Sequence, residues 1–199
     1  LGGVRQMEFT IPQLPLGEAA TALVTFEITR SSTLPPQDTA QYQIPKNPPV
    51  AVRFDLGVSP SIECRQPAIR AKAKELVAGK ESAWGQVQAI YDWVRENTKY
   101  QEGQLKGAAA ALRDGSGNRD DLTCLFIALC RAHGVPARTV FVADNCYAEF
   151  YLQDQAGKGC WFPCQVTGTR EFGSISDRRP ILQKGDHIKV PEYKDPQRF

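Results

Sequence analysis

The sequence is short of most features that would declare a function at once. It has only two His. Lys plus Arg number 24 against 22 for Asp plus Glu, a net charge of +2, so there is neither a basic footprint for nucleic acid nor an acidic tail. The longest apolar runs, such as Leu125 to Cys130, fall far short of a membrane span. No internal repeat or low-complexity tract interrupts the chain. Leu1-Gly2-Gly3-Val4-Arg5 lacks the apolar core of a signal peptide. A processed start would look the same, so the compartment stays open, export included. With 42% hydrophobic, 9% aromatic and 23% charged residues in 199, the expectation is a soluble globular chain of one large domain with a modest appendage. What stands out is six Cys, an even number compatible with three disulfides, a metal cage, a thiol nucleophile or none of these.

Residues 1–60 read as a β-rich N-terminal segment. Val24, Phe26 and Ile28 alternate with polar residues, and Val50, Val52, Phe54 and Leu56 alternate likewise, the period of half-buried strands. Pro35, Pro36, Pro45, Pro48 and Pro49 mark the stretch between them as loop or edge.

From residue 61 to the C-terminus a second unit is expected, and from Pro67 the period becomes helical. Pro67 suits a first turn and Gly79 a stop, around Ile69, Ala73 and Leu76. Ser82 is a cap for a helix carrying Trp84, Val87, Ile90, Tyr91 and Val94. Ala108 to Arg113 is a short third helix. The fourth has Asp120 and Asp121 at its positive end, a stripe of Leu122, Leu125, Phe126, Leu129 and Cys130, and a stop at Gly134 and Pro136. Period two then returns in Arg138 to Val142, Asn145 to Leu152 and Cys160 to Gln165, the last two forming a hairpin around Asp154-Gln155-Ala156-Gly157. Helices followed by meandering strands give an α+β fold with an antiparallel sheet. The polar tail from Gly173 adds at most an edge strand near His187 to Val190.

Three stretches within this pattern, Gly117 to Arg138, Asn145 to Tyr151 and Gly159 to Val166, resemble the transglutaminase-like superfamily, which has a papain-like fold. Gly117-Asn118-Arg119-Asp120-Asp121, continued through the apolar helix to Arg131-Ala132-His133-Gly134-Val135-Pro136-Ala137-Arg138, is similar to the family's nucleophile helix. Asn145-Cys146-Tyr147-Ala148-Glu149-Phe150-Tyr151 resembles its His-x-Trp-x-Glu-x-Tyr strand, and Gly159-Cys160-Trp161-Phe162-Pro163-Cys164-Gln165-Val166 its Gly-x-Trp-x-Pro-x-Asp-Val strand. The helix Ile90 to Tyr100 resembles the one that precedes the site. The family's chemistry needs a thiolate at a helix N-terminus, a His as base and acid, and an Asp to fix the imidazole. The resemblance places these roles on Arg119, Asn145 and Gln165. Arginine stays protonated, and neither amide titrates, so none can do the family's work. Moving the register to bring Cys124 into place would break the Asp-Asp start, the stripe and the exit together.

The resemblance therefore implies a pseudoenzyme, with no catalytic residue, metal or cofactor expected, whose cleft serves protein or peptide binding or which acts as a structural module. The alternative is an active cysteine protease, amide hydrolase or acyl transferase using relocated residues. Arg119, Asn145 and Gln165 are expected to converge as a polar cluster, with Arg119 offering donors to a carboxylate or carbonyl; a surface Arg paired with Asp120 or Asp121 is the competing reading, and the favoured one. Tyr147 and Trp161 are expected to line the groove or to pack across neighbouring strands. Cys160 and Cys164, four apart on a strand, stand about 13 Å apart, too far to share zinc with Cys146. A disulfide from Cys146 to Cys160 or Cys164 remains an alternative to plain buried thiols. His133 complements the negative end of its helix.

Overall fold

A computed structural model describes residues 8–186. Its centre is one helix packed between helices on one side and a sheet on the other. The elements run α1 (Val50–Arg53), a 3₁₀ turn (Phe54–Leu56), α2 (Pro67–Val77), α3 (Ala83–Asn97), β1 (Lys99–Tyr100), α4 (Ala108–Asp114), β2 (Ser116–Gly117), α5 (Arg119–Ala132), β3 (Ala137–Val142), β4 (Asn145–Gln153), β5 (Gly159–Gln165), β6 (Glu171–Phe172) and β7 (Ile181–Lys184). The main sheet has the order β6-β5-β4-β3-β7, antiparallel throughout, while β1 and β2 form a small parallel pair. This is the α+β, papain-like arrangement expected from the sequence.

The helix signals act as read. Pro67 opens α2 at its first position, and the Ser82 hydroxyl accepts the Gly85 N–H at 3.1 Å to cap α3. α5 is buried more completely than its stripe indicated: every residue from Asp121 to Arg131 is buried. α2, α3 and α4 cover one side of it, and the inner faces of β3 and β4 cover the other. A helix covered all round must be apolar all round, apart from polar groups that find partners. The inner face of β4 contributes Ala148, Phe150 and Leu152 to the same core, and β5 contributes Phe162 and Cys164. There Trp84 meets Phe150, Phe162 and Phe172 edge to face at 5.1–5.5 Å between centroids, a favoured aromatic geometry.

Two buried charged nodes hold the ends of α5. At its start, Asn118 and Asp121 form a reciprocal capping box, and Asp121 Oδ1 also accepts the N–H groups of Lys106 at 2.7 Å and Gly107 at 2.8 Å. At its end, Arg131 donates to the carbonyls of Ala137 and Gly57, both at 2.8 Å, and to Asp186 at 3.0 Å. Asp55 lies 3.9 Å from the same guanidinium, yet burial pushes its carboxyl up to about 6.

The strands expected at Val24–Ile28 and Val50–Leu56 do not form. Val24, Phe26 and Ile28 are exposed and have no neighbouring strand, and alternation without a partner cannot make a ladder. Residues 50–56 are helical instead. Pro49 precedes the first turn, and Val52 and Asp55, three apart, are the residues that turn inward. Among the described residues before Pro67, the β structure consists of isolated bridges such as Thr33 to Ile175 and Gln43 to Gln153. β7 supplies an edge strand that the sequence did not signal, and the edge strand expected at His187 to Val190 lies outside the described residues.

Gly117 precedes the α5 cap because a Cβ there would sit 2.6 Å from the Asp121 Cβ. Gly117→Ala is expected to cost about 1–3 kcal/mol of stability, the range for forcing extra volume into a packed site. Urea denaturation reads it; an unchanged midpoint would show that Asp121 can step aside.

Candidate functional site

Arg119, Asn145 and Gln165 line one open cleft of about 690 Å³, together with Tyr100, Asp144, Thr167, Gly168, Thr169, Glu171, Ser176, Asp177 and Arg179. Each arrives by a different route. Arg119 is the first residue of α5, Asn145 the first of β4 and Gln165 the last of β5. The cleft therefore opens where the head of the central helix meets the ends of two strands.

Arg119 is not paired with either neighbouring acid among the described residues. The Asp121 carboxylate is occupied by backbone N–H groups, and Asp120 Oδ1 accepts from the Cys146 thiol at 3.1 Å. Arg119 Nη1 instead donates to the Asp144 carbonyl at 2.9 Å. That bond ties the helix to the two-residue turn between β3 and β4, where Asp144 has a positive φ of 55°. The favoured surface-pair reading is corrected: the helix cap engages Asp121, the Cys146 thiol engages Asp120, and the arginine turns to the Asp144 carbonyl.

The remaining wall is built on backbone carbonyls. Arg95 of α3 donates to the carbonyls of Val166 at 2.9 Å and Gly168 at 2.8 Å, and Tyr91 donates to that of Gln165 at 2.8 Å. The opposite wall is Asp177 with Arg179, 2.5 Å apart, and Arg179 Nη1 donates to the Ala143 carbonyl at 2.6 Å. Asn145 Nδ2 donates to Asp177 at 3.3 Å, fixing one end of its amide. Arg30, on the segment preceding the domain, donates to the Arg179 carbonyl at 2.5 Å and to the Tyr147 hydroxyl at 3.3 Å. The N-terminal segment thus braces the wall from behind.

Tyr147 and Trp161 lie outside the cleft. Tyr147 is buried with Val140, Val142 and Ile175 on the outer face of the sheet. Trp161 lies under the Arg138 guanidinium at 3.8 Å and tilts against Tyr151 at 5.1 Å between centroids. Both are packing residues, because the cleft opens past the strand ends and these two point out from the strand interiors. The cleft residues that sequence reasoning missed, Glu171, Ser176, Asp177 and Arg179, lie beyond the last resembling strand, and no local pattern marks them. Tyr100 was expected to close the helix before the site; α3 stops at Asn97, and Tyr100 pairs with Gly117 in the small parallel ladder.

All six Cys are free. Cys164 faces Ala148 and Cys160 faces Leu152 in the β4–β5 register, so neither opposes Cys146. The Cys146 thiol is pushed well above its ordinary range, by burial first and then by the Asp120 charge. His133 ends α5, roughly 20 Å along the helix from Arg119 at 1.5 Å per residue. Its ring bonds Gln86 at 2.7 Å and burial lowers its pKa, which weakens the charge-complementing role expected of it. His187 lies outside the described residues.

Residues 70–166 match the model of the transglutaminase-like superfamily. Among solved structures, the chain is similar to a candidate cysteine protease from Cytophaga hutchinsonii, with 21% identity and a TM-score of 0.54 over 70% of this chain and 48% of that one. It is also similar to a candidate protease from Parabacteroides distasonis, with 14% identity and a TM-score of 0.39 over 63% of this chain and 29% of that one. The chain thus spans about half or less of the length of either neighbour. No curated protein matches it. Among the described residues, no helix is long and apolar enough to cross a membrane.

Hydrogen bonds from Arg179 above all, and also from Asn145, hold the Asp177 carboxyl down to about 2 from an ordinary 3.8. Its ionised form stabilises the fold above pH 4, and that contribution is lost as pH falls toward 2. Asp177→Asn is expected to flatten this acid limb in melting curves recorded from pH 2 to 6; limbs parallel to the parent's would remove Asp177 from the account.

Proposed function

We propose that the chain, whose residues 70–166 match the transglutaminase-like superfamily model, holds a peptide or protein segment in the cleft at the head of α5 without transforming it. The observation that carries the reading is Arg119. The guanidinium stands at the first position of the helix, where the resemblance puts a thiol, and is tied to the Asp144 carbonyl. A permanently protonated group cannot attack a carbonyl. Asn145 and Gln165 cannot move a proton as imidazole and carboxylate do. They can donate and accept hydrogen bonds at once, which is what a peptide backbone requires of its host. The cleft volume lies within the range of ordinary ligand sites.

The alternative of a relocated nucleophile falls on Cys146, next to Asn145 in sequence. Its thiol is buried, bonded to a carboxylate and held protonated, the opposite of what activates a cysteine.

The folded protein is expected to release no ammonia from glutamine peptides, to transfer no amine and to cleave no peptide. Iodoacetamide at neutral pH is expected to label Cys146 only after unfolding. A covalent adduct with an acyl electrophile on the folded protein, abolished by replacing a single Cys with Ser, would establish the alternative.

A further inference from the structure

The charges around the cleft do not cancel one another, and the remainder says what kind of segment fits. Arg179 is spent: it bonds Asp177 directly, and Asp144 also acts on it electrostatically. Asn145 is pinned to the same Asp177. Two ions are left without a counter-ion in contact among the described residues. Arg119 lines the cleft and donates to a carbonyl through Nη1, with no ion pair to an acid among the described residues. Glu171 accepts the Ser176 N–H on one oxygen at 2.8 Å and has no cation beside it. A ligand with one sign of charge would satisfy one of these and be repelled by the other.

Resting on the binding reading above, we propose that the cleft takes a dipolar peptide of two or three residues with free termini, its carboxylate on Arg119 and its ammonium on Glu171. Arg119 offers a planar fork of donors suited to a carboxylate, and Glu171 keeps an acceptor oxygen open for an ammonium. The spacing agrees. Arg119 is fastened to the β3–β4 turn, and Glu171 sits on β6, two strands away from β4. At about 4.8 Å between strands that is roughly 10 Å across the sheet. Asp144 stands three residues beyond the β4 position level with Glu171. The Arg119 anchor and the Glu171 backbone therefore lie roughly 14 Å apart, of which an extended glutamate side chain covers about 4 Å. A tripeptide spans up to about 10–11 Å at 3.3–3.6 Å per residue, and a sphere of the cleft's volume is about 11 Å across. Between the two charges, the Gln165 amide and the hydroxyls of Thr167 and Thr169 line the path with groups that bond a peptide backbone.

The test is titration calorimetry of the full chain with trialanine, N-acetyl-trialanine and trialanine amide, alongside end-blocked hexaalanine. Free trialanine is expected to bind, and blocking either terminus to weaken it about tenfold, as for loss of one charge-assisted hydrogen bond. In Arg119→Gln the amide is expected to bind as well as the free acid, while acetylation still weakens. In Glu171→Gln the pattern reverses. Equal affinity for all three short peptides, or preference for the blocked hexapeptide, overturns the dipolar ligand and leaves a peptide-binding cleft. No binding by any of the four overturns both.

Discussion

The Asp121 carboxylate is the contact on which the cleft depends. It lies buried in the first turn of α5 and accepts three backbone N–H groups, from Lys106, Gly107 and Asn118, at 2.7, 2.8 and 3.1 Å. A buried carboxylate is tolerable only when so satisfied, and this one is satisfied entirely by main chain. It thereby fastens the loop before α4, the Gly117 approach and the helix start into one unit. Arg119 is two residues from Asp121 on the same turn, so its position follows from that node. Removing Asp121 would leave three donors without their acceptor and the head of α5 without its anchor.

The walls share one design. Arginines reach across from neighbouring elements and end on carbonyls: Arg95 on Val166 and Gly168, Arg179 on Ala143, Arg30 on Arg179 and Arg119 on Asp144. Carbonyls at strand ends and in loops have no ladder partner, and a guanidinium with five donors can satisfy several at once. Irregular chain is thereby held firmly enough to form a site, and Arg119 takes part in this bracing while also lining the cleft. A ligand entering here meets a preformed surface and need not order the loops itself.

How much of this was legible follows from where each signal lies along the chain. Ser82, Pro67 and Gly134 punctuate helices locally, so these helices could be read with their ends nearly in place, whereas the Asn118 cap of α5 emerged only in the structure. β3 and β4 alternate because each has one face on α5, β5 because its inner face continues the same core beside Trp84, and their connections are short. The convergence of Arg119, Asn145 and Gln165 was legible only through resemblance, since 46 residues separate the first from the last. Glu171, Asp177 and Arg179 belong to chain that folds back after β5, where no period applies and the residues are brought in by partners far away in sequence. The N-terminal alternation misled for the converse reason: period two reports a capacity to pair, and Val24 to Ile28 have no strand to pair with. Trp161 was drawn to the groove by its motif, but Arg138 across the outer face claims its ring.

The position of Arg119 has an energetic cost. A cation at the first residue of a helix opposes the helix dipole, by roughly 0.3–1 kcal/mol at partly exposed sites. Asp120 and Asp121 stand in the same turn and offset the positive end, but their oxygens are engaged elsewhere, one by a thiol and one by the cap. The bond to Asp144 returns part of the cost by joining helix to hairpin. A Ser at this position would extend the capping pattern with no charge conflict, and an Ala would suit the helix better. Stability alone therefore does not favour arginine here. What arginine adds over either is a fixed positive charge with free donors at the mouth of a polar cleft, and that difference is expressed only when something carrying a carboxylate or carbonyl enters it.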